Sequence, residues 1–174
     1  MAQSDTTPSK TTPAKTSASK APAAKTTRSK PGSAKAASAS VQVVTDFLGA
    51  LERMDTDAAL ALLADDIVYQ NVSLPEARGR DAVAKQLAML GRYATGFRAI
   101  NHRIVGDGQT VLTERTDIIE VRRFRAAFWV CGRFEVRDGK ITEWRDYFDW
   151  ANVLAGVAAG AGRAVLGLIR DRRR

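Results

Sequence analysis

Arginine and aspartate occupy alternate positions in VLTERTDII, residues 111–119, a stretch that otherwise looks like a β-strand. Side chains of a strand point alternately to its two faces, so Arg115 and Asp117 share a face with Val111 and Ile119. An unpaired carboxylate in apolar surroundings takes up a proton, whereas a neighbouring arginine can bind it through two hydrogen bonds. The two residues therefore form either an ion pair on an exposed sheet face or a charged cluster inside a pocket.

Two other predicted strands also carry polar groups among apolar neighbours. IVYQNV places Tyr69 and Asn71 on one face, and TEWRDYFD places Asp146 on a face with Trp144 and Phe148. Two carboxylates around one arginine can hold one acid protonated and the other ionised, as proton-transfer catalysis requires. Taken singly, each group is as readily a structural ion pair or a half-buried polar side chain. Their convergence from three strands favours a catalytic pocket.

One histidine and one cysteine, His102 and Cys131, limit the other chemistries that the chain can support. They cannot supply the nitrogen and sulfur ligands of a usual zinc site, and no G-x-S-x-G motif offers a serine nucleophile. The segment GDGQT lacks the lysine and the glycine spacing of a phosphate-binding loop. We therefore expect neither a metal ion nor an organic cofactor. The single cysteine also excludes an internal disulfide and fits a reducing cytoplasm.

The chain of 174 residues carries a net charge of +8, which is concentrated at its two ends. Residues 1–40 contain seven lysine and arginine side chains against one aspartate, and the chain ends in RDRRR, whereas residues 41–169 are almost neutral. A nucleic-acid-binding domain needs a basic face on its folded part, so that class of protein is disfavoured. No apolar segment typical of a secretory signal is visible at the N-terminus.

Residues 1–40 consist almost wholly of Ala, Ser, Thr, Lys and Pro. A segment so poor in apolar residues cannot offset the entropy that is lost on ordering, so we expect a disordered tail. Its regularly spaced lysines favour a solubilising tail over one that makes weak, non-specific contact with nucleic acid or anionic surfaces.

The spacing of apolar residues predicts the elements that must position these polar side chains. Helices are predicted over residues 41–54, with Ser40 as the N-terminal cap, and over 56–63 and 79–92. Strands are predicted over residues 67–72, 97–105, 110–122, 125–137 and 140–149. Asp-Gly pairs between the later strands predict hairpin turns. Helices followed by an antiparallel meander indicate an α+β fold, with the helices packed on one face of a curved sheet.

The last part of the chain, residues 153–174, is rich in alanine and glycine and ends in basic residues. Its apolar portion is interrupted by Arg163 and by glycines, and it is shorter than the roughly 20 residues of a membrane span. We predict a helix that covers the domain or forms a dimer surface, with peripheral membrane contact as the weaker alternative. Gly156 and Gly160 have the GxxxG spacing, which is a weak signal outside a membrane.

Four segments together resemble the limonene-1,2-epoxide hydrolase family: YQNVSLPEARGRDAV, VLTERTD, FWVCGRFEV and DGKITEWRDYFD. The resemblance covers roughly residues 41–152. It implies the nuclear-transport-factor-two-like fold, in which a curved, mixed and mainly antiparallel β-sheet and N-terminal helices form a cone-shaped pocket. It also implies a homodimer.

The resemblance further implies a role for each polar residue on the three strands. Asp117 would protonate the epoxide oxygen as general acid, and Asp146 would deprotonate a water molecule that Tyr69 and Asn71 also hold. Arg115 would bridge the two carboxylates. Ring opening is then a single step without a covalent intermediate, which agrees with a sequence that offers two acids around an arginine and no nucleophile–histidine pair.

The chain is therefore predicted to be a cofactor-independent, cytoplasmic epoxide hydrolase that converts a lipophilic epoxide and water into a vicinal diol. A disordered tail (1–40) precedes the catalytic domain (41–152), and a helix with a basic end (153–174) follows. The residues predicted to line the substrate pocket are Trp144, Phe148 and Ile119. Two alternatives stay open, namely an isomerase or cyclase on the same fold with an aspartate as base, and a non-catalytic ligand-binding or dimerisation module.

Overall fold

Residues 31–171 are described by the computed structural model, and they form four α-helices and six β-strands. The helices are α1 (Pro31–Glu52), α2 (Thr56–Ala61), α3 (Arg80–Tyr93) and α4 (Trp150–Asp171). The strands are β1 (Leu63–Asn71), β2 (Ala77–Arg78), β3 (Gly96–Asp107), β4 (Thr110–Val121), β5 (Phe124–Arg137) and β6 (Lys140–Phe148). Every predicted helix and strand is present, which confirms the α+β fold class. Residues 1–30, most of the predicted tail, lie outside the described part of the chain.

The strands form one mixed sheet with the order β2–β1–β6–β5–β4–β3. β3 to β6 pair as the predicted antiparallel meander, while β1 pairs in parallel with β6. The turn between β5 and β6 has positive φ at Asp138 (51°) and Gly139 (74°), the hairpin geometry that Asp-Gly favours. β2 was not predicted, because two residues are too few to show a periodic pattern.

The inner face of the sheet is the face that α1 covers. α1 packs against β3, β4, β5 and β6, and α3 packs against β1. Phe47, Leu48 and Leu51 recur at helical spacing and are buried on one side of α1. The Phe47 ring meets Trp144 of β6 edge to face, with ring centroids 5.0 Å apart. Helices and sheet thus enclose a space on the inner face, towards which the polar residues of the strands point.

The first helix begins at Pro31, before its predicted start, so residues 31–40 belong to α1 and not to a disordered tail. Proline is tolerated in the first turn of a helix, and the Ala-rich run that follows has high helix propensity. Most of these residues are exposed, so no apolar periodicity marked them as helical. Ser40 is not the cap. It lies within the helical segment, and its hydroxyl donates a hydrogen bond to the Gly108 carbonyl oxygen at 2.9 Å.

The C-terminal helix covers a free edge of the sheet. The first half of β5 pairs with β4 alone, because its pairing with β6 begins at Val130. α4 runs beside this edge, where the Trp129 N–H donates to Asn152 Oδ1 at 3.1 Å. Arg163 Nη2 donates to the Arg125 carbonyl oxygen, also at 3.1 Å. Unpaired edge groups otherwise invite pairing with another chain. α4 therefore covers the domain, which is one of the two roles predicted for it.

Gly156 and Gly160 allow α4 to lie directly against β5. A Cβ at Gly156 would collide with the carbonyl oxygen of Ala127, and one at Gly160 would lie 2.5 Å from that of Arg125. The GxxxG spacing therefore marks the side of the helix that packs on the strand. Within residues 31–171, no helix is both long enough and apolar enough to cross a membrane.

Candidate active site

Alternate side chains of β4 carry polar groups into the interior. Thr113, Arg115 and Asp117 point to the inner face, and each is at most 5% exposed. Asp146 on β6, which is 3% exposed, faces the same space. The arginine and the aspartates are thus inside a pocket, and the alternative of an ion pair on an exposed sheet face is excluded.

The Arg115 guanidinium bridges the two carboxylates. Nε donates to Asp117 Oδ1 at 2.8 Å, and Nη2 donates to Asp117 Oδ2 at 3.1 Å and to Asp146 Oδ2 at 2.7 Å. The third nitrogen, Nη1, donates to Thr113 Oγ1 at 3.0 Å. Buried charges persist only when hydrogen bonds of this kind compensate for lost hydration. One cation consequently holds two acids at fixed, short distances from itself.

Strand register brings Tyr69 and Asn71 to the same site. In the parallel pair of β1 and β6, Asn71 lies beside Asp146, and Tyr69 lies beside Trp144. The Tyr69 hydroxyl donates to Asn71 Oδ1 at 3.0 Å, and its ring stacks on that of Trp144 with centroids 4.0 Å apart. Side chains from β1, β4 and β6 that the sequence predicted to act together are therefore gathered on one face of the sheet.

The two aspartates differ in how their oxygens are used. Both oxygens of Asp117 accept hydrogen bonds from Arg115. Asp146 accepts from Arg115 through Oδ2, whereas its buried Oδ1 has no hydrogen-bond partner among the residues that the structure describes. A buried acceptor without a partner is costly until a bound molecule pairs with it. Asp146 Oδ1 is thus suited to accept a proton from a molecule in the site.

Burial raises the pKa of Asp117 from its ordinary value of 3.8 to about 6. The Arg115 charge and its hydrogen bonds act in the opposite direction, and the Asp146 charge raises the pKa further. This carboxyl group can therefore hold a proton close to neutral pH, as a general acid must.

The phenol and the guanidinium of the site each stay in one protonation state. Burial, followed by the negative charge of Asp146, raises the pKa of Tyr69, so the phenol remains a neutral hydrogen-bond donor. Burial alone would lower the pKa of Arg115, but the charges of Asp146 and Asp117 together raise it. The site thus combines a permanent cation and a neutral phenol with a carboxyl group whose proton is exchangeable.

Two adjoining cavities lie beside the site. The inner cavity, of about 270 Å³, is bordered by Asp117, Tyr69 and Asn71. Its wall also includes the three predicted pocket residues and other apolar side chains, namely Ile119, Trp144, Phe148, Leu51, Leu87, Phe97 and Phe128. An outer cavity of about 660 Å³ shares Tyr69, Asn71, Gln86 and Leu90 with it. The outer cavity is completed by Leu74, Pro75, Glu76, Met89 and Tyr93.

Two residues of the site were not predicted. Thr113 shares the inner face with Arg115, as strand alternation indicates, but threonine is common in strands and carries no chemical signal of its own. Gly132 of β5 lies between Thr113 and Asp146 in the sheet register and next to the Arg115 guanidinium, with which an added Cβ would collide. A glycine in a strand does not indicate which side chain needs the space beside it.

The remaining reactive residues lie away from the site. His102 Nε2 is 2.8 Å from Thr116 Oγ1 at an exposed position. Glu114 accepts a hydrogen bond from Arg103 at 2.6 Å on the outer face, which confirms that it points away from Arg115. Cys131 is half-buried and pairs with Glu114 in the sheet register. Within the described range 31–171, no three His, Cys, Asp or Glu side chains are arranged to hold a metal ion.

Comparison with known proteins identifies close relatives. A family model described as the limonene-1,2-epoxide hydrolase catalytic domain matches residues 38–159. Epoxide hydrolase EphG of Mycobacterium tuberculosis is 48% identical over 118 residues, which are 67% of this chain and 78% of the relative. The solved structure of an M. tuberculosis LEH-like epoxide hydrolase is similar with a TM-score of 0.71 and 42% identity, and the match covers 75% of this chain and 98% of that chain.

More distant solved structures share the fold. An NTF2-like protein of unknown function from Burkholderia pseudomallei matches with a TM-score of 0.61 and 17% identity, over 68% of this chain and 97% of that chain. A protein with a ketosteroid isomerase-like fold from Catenulispora acidiphila matches with a TM-score of 0.61 and 19% identity, over 67% and 92% of the two chains. These likenesses confirm the predicted fold.

Proposed function

Since the chain belongs to the limonene-1,2-epoxide hydrolase family and is an epoxide hydrolase, we propose that it adds water to a lipophilic epoxide in one step, with Asp117 as general acid and Asp146 as general base. The observation that carries this mechanism is the hydrogen bonding of one guanidinium, that of Arg115, to both buried carboxylates. The isomerase and the non-catalytic module are set aside, because the family is one of epoxide hydrolases.

The acid acts on the epoxide oxygen in this mechanism. Protonated Asp117 donates its proton to that oxygen as the C–O bond breaks, so the leaving oxygen becomes a neutral hydroxyl group. The raised pKa of about 6 supports this role, because a carboxyl group with an ordinary pKa would seldom be protonated near neutral pH. The carboxylate that remains is stabilised by its two hydrogen bonds from Arg115.

The base acts on the attacking water molecule. Asp146 Oδ1 takes a proton from that water as the water oxygen attacks the epoxide carbon. The attack comes from the side opposite to the C–O bond that breaks. Asn71, which lies beside Asp146, and Tyr69, whose hydroxyl is hydrogen-bonded to Asn71, offer further hydrogen bonds to the same water. The product is a vicinal diol, and a proton must return from Asp146 to Asp117 before the next turnover. Each proton transfer of this kind contributes roughly 10²- to 10⁴-fold.

The two adjoining cavities support a bulky lipophilic substrate. The inner cavity of about 270 Å³ would hold the reacting ring beside Asp117, and the outer cavity of about 660 Å³ would hold the rest of the molecule. Mainly apolar walls with a few convergent polar groups are typical of small-molecule sites. In this proposal Trp144, Phe148 and Ile119 contact the substrate.

We further propose that the enzyme is a cytoplasmic homodimer. Side chains on the outer face of the sheet that are 40–47% exposed support a dimer surface, namely Leu112, Trp129 and Tyr147. The single half-buried cysteine fits a reducing compartment. Light scattering that gives the mass of a monomer would contradict the dimer.

Weak contact of the lysine-rich N-terminal tail with nucleic acid or anionic surfaces belongs to the same proposal, although residues 1–30 lie outside the described part of the chain.

The mechanism is tested with a panel of bulky apolar epoxides in isotopically labelled water. The wild type should form a diol with label at one carbon. Asp117→Asn and Asp146→Asn should each lose activity by about 10²-fold or more, because each removes one proton-transfer group. Glu114→Gln is the matched control, since it changes a carboxylate on the opposite face of the same strand, and it should keep its activity. Undiminished diol formation by both aspartate variants would contradict the mechanism.

A further inference from the structure

The Arg115 guanidinium also donates a hydrogen bond to a residue that is not an acid, Thr113. While Nε and Nη2 donate to the two carboxylates, Nη1 donates to Thr113 Oγ1 at 3.0 Å. Thr113 is 1% exposed and lies two residues before Arg115 on the same strand face. The guanidinium therefore has three points of attachment, two of them on catalytic carboxylates and one on a buried hydroxyl.

The neighbouring strand leaves an opening at the same place. Gly132 of β5 is paired with Thr113 on one side and with Asp146 on the other. A Cβ at Gly132 would collide with Arg115 Nη1, would lie 2.6 Å from Thr113 Oγ1 and would lie 2.9 Å from the Phe134 ring. Gly132 does not have the positive φ that favours glycine for its backbone. The space that it leaves, filled by the guanidinium, accounts for a glycine at this position.

We propose that Thr113 and Gly132 are positioning residues, which together form a seat that fixes the Arg115 guanidinium in the plane from which Nη2 reaches both carboxylates. The inference rests on the proposed function, because the seat matters to catalysis only if Asp117 and Asp146 are the acid and the base. Neither residue contacts the inner cavity, so both act through Arg115.

Three attachment points are needed because an arginine side chain is long and can rotate about several bonds. Two carboxylates alone can be satisfied by guanidinium planes that differ in tilt, whereas a third contact behind them selects one plane. Displacement of a catalytic group by about 1 Å can cost roughly 10²-fold in rate. Because the Arg115 charge lowers the pKa of Asp117, a displaced guanidinium would also let that pKa rise.

The hydroxyl is tested with two variants of Thr113. Thr113→Val keeps the shape of the side chain and removes the acceptor for Nη1, so kcat should fall by about tenfold, the effect expected when a charged donor loses its partner. KM should change little, because the residue does not touch the substrate. Thr113→Ser keeps the hydroxyl and should retain most of the wild-type kcat. Equal losses in both variants would contradict a role for the hydroxyl.

The space beside the guanidinium is tested with Gly132→Ala and a matched control. Gly132→Ala should lower kcat by about 10²-fold. It should also move the basic limb of the kcat/KM pH profile to higher pH, since Asp117 would lose part of its stabilising cation. Gly106→Ala is the control, because a Cβ there would lie 2.8 Å from the Ala37 carbonyl oxygen, in the contact between β3 and α1. The control should reduce thermal stability and leave the pH limb of the folded enzyme unchanged.

A direct measurement separates this inference from the proposed function. The pKa of the Asp117 carboxyl, followed by carbon NMR in the unliganded protein, should rise in Thr113→Val and in Gly132→Ala. This readout does not depend on turnover of any epoxide. A Thr113→Val variant with the kcat, the pH limb and the Asp117 pKa of the wild type would overturn the inference. This outcome is decisive even if Gly132→Ala does not fold. An inactive wild type would contradict the proposed function alone, while an unchanged Asp117 pKa in both variants would overturn the seat.

Discussion

Arg115 meets a requirement that lysine could not meet at the same position. Its planar guanidinium presents donors in fixed directions, so one side chain can bind both oxygens of Asp117 and one oxygen of Asp146. An ammonium group carries its charge at a single point and cannot span two carboxylates in this way. The same contacts that stabilise the buried charges leave Asp146 Oδ1 without a partner among the described residues. Asymmetry between two identical acids thus follows from the hydrogen-bonding directions of one cation.

The raised pKa of Asp117 predicts the direction of the pH dependence. The acid must be protonated to act, so its contribution is present below a pH of about 6 and is lost as the pH rises through that value. We expect kcat/KM to fall by about tenfold for each pH unit above the pKa, with the limb assigned to the free enzyme. Glu114→Gln should leave this limb in place, because Glu114 lies on the outer face. A rate that stays constant from pH 5 to about 8 would contradict the assignment of Asp117 as the acid.

Strand alternation was sufficient to predict which side chains of the site share a face, but not that the face is buried. Arg115 and Asp117 would have the same spacing in an exposed ion pair, and only the packing of α1 over the sheet decides between the two. The roles came from the family resemblance, since spacing alone does not separate acid from base. Gly132 could not be predicted at all, because its contribution is an unfilled volume beside a residue of another strand.

Among the elements, those with an apolar stripe were predicted and those without one were not. α3 has apolar residues at helical spacing, the long strands alternate apolar and polar residues, and the bounds of both agree closely with the prediction. The first turns of α1 lack such a stripe, because most of those side chains are exposed. The parallel pairing of β1 with β6 joins segments that are distant in sequence, so no local pattern encodes it. That pairing is nonetheless what places Asn71 beside Asp146.

The close approach of α4 to β5 predicts a stability difference between two glycines of the same helix. Gly156→Ala places a Cβ against the Ala127 carbonyl oxygen, so we expect it to destabilise the protein by about 1–3 kcal/mol, as overpacking does. Gly162→Ala is the matched control. A Cβ there meets no atom within 4 Å, and the alanine should stabilise the helix by about 0.5–1 kcal/mol. Both values are measured by denaturant unfolding, and a Gly156→Ala variant as stable as Gly162→Ala would contradict the packing.

In the molecule as a whole, the polar groups of the site lie at the inner end of an apolar passage, which the two adjoining cavities form. Asp117, Tyr69 and Asn71 border the inner cavity, while the outer cavity lies between α3 and the segment that joins β1 to β2. Several charges outside this passage form exposed and half-exposed ion pairs, such as those of Glu143 with Arg133 and Arg145. Such pairs contribute little to stability, so the fold depends mainly on the apolar core between the helices and the sheet.

Leu90 is one of four residues that border both cavities, so a larger side chain at this position should narrow the passage between them. Leu90→Trp should narrow that passage and lower kcat/KM for epoxides too large for the inner cavity, by roughly 10- to 200-fold, the range for a misfit in an apolar pocket. A compact epoxide that fits within about 270 Å³ should be converted at a nearly unchanged rate. Met89→Trp is the matched control, because Met89 is 59% exposed and borders the outer cavity but not the inner one. The ratio of kcat/KM for bulky and compact substrates is the measurement. Equal losses of kcat/KM for both substrates in Leu90→Trp would contradict a role of the outer cavity in binding. They would mean that the tryptophan acts on the inner cavity alone, where both substrates react.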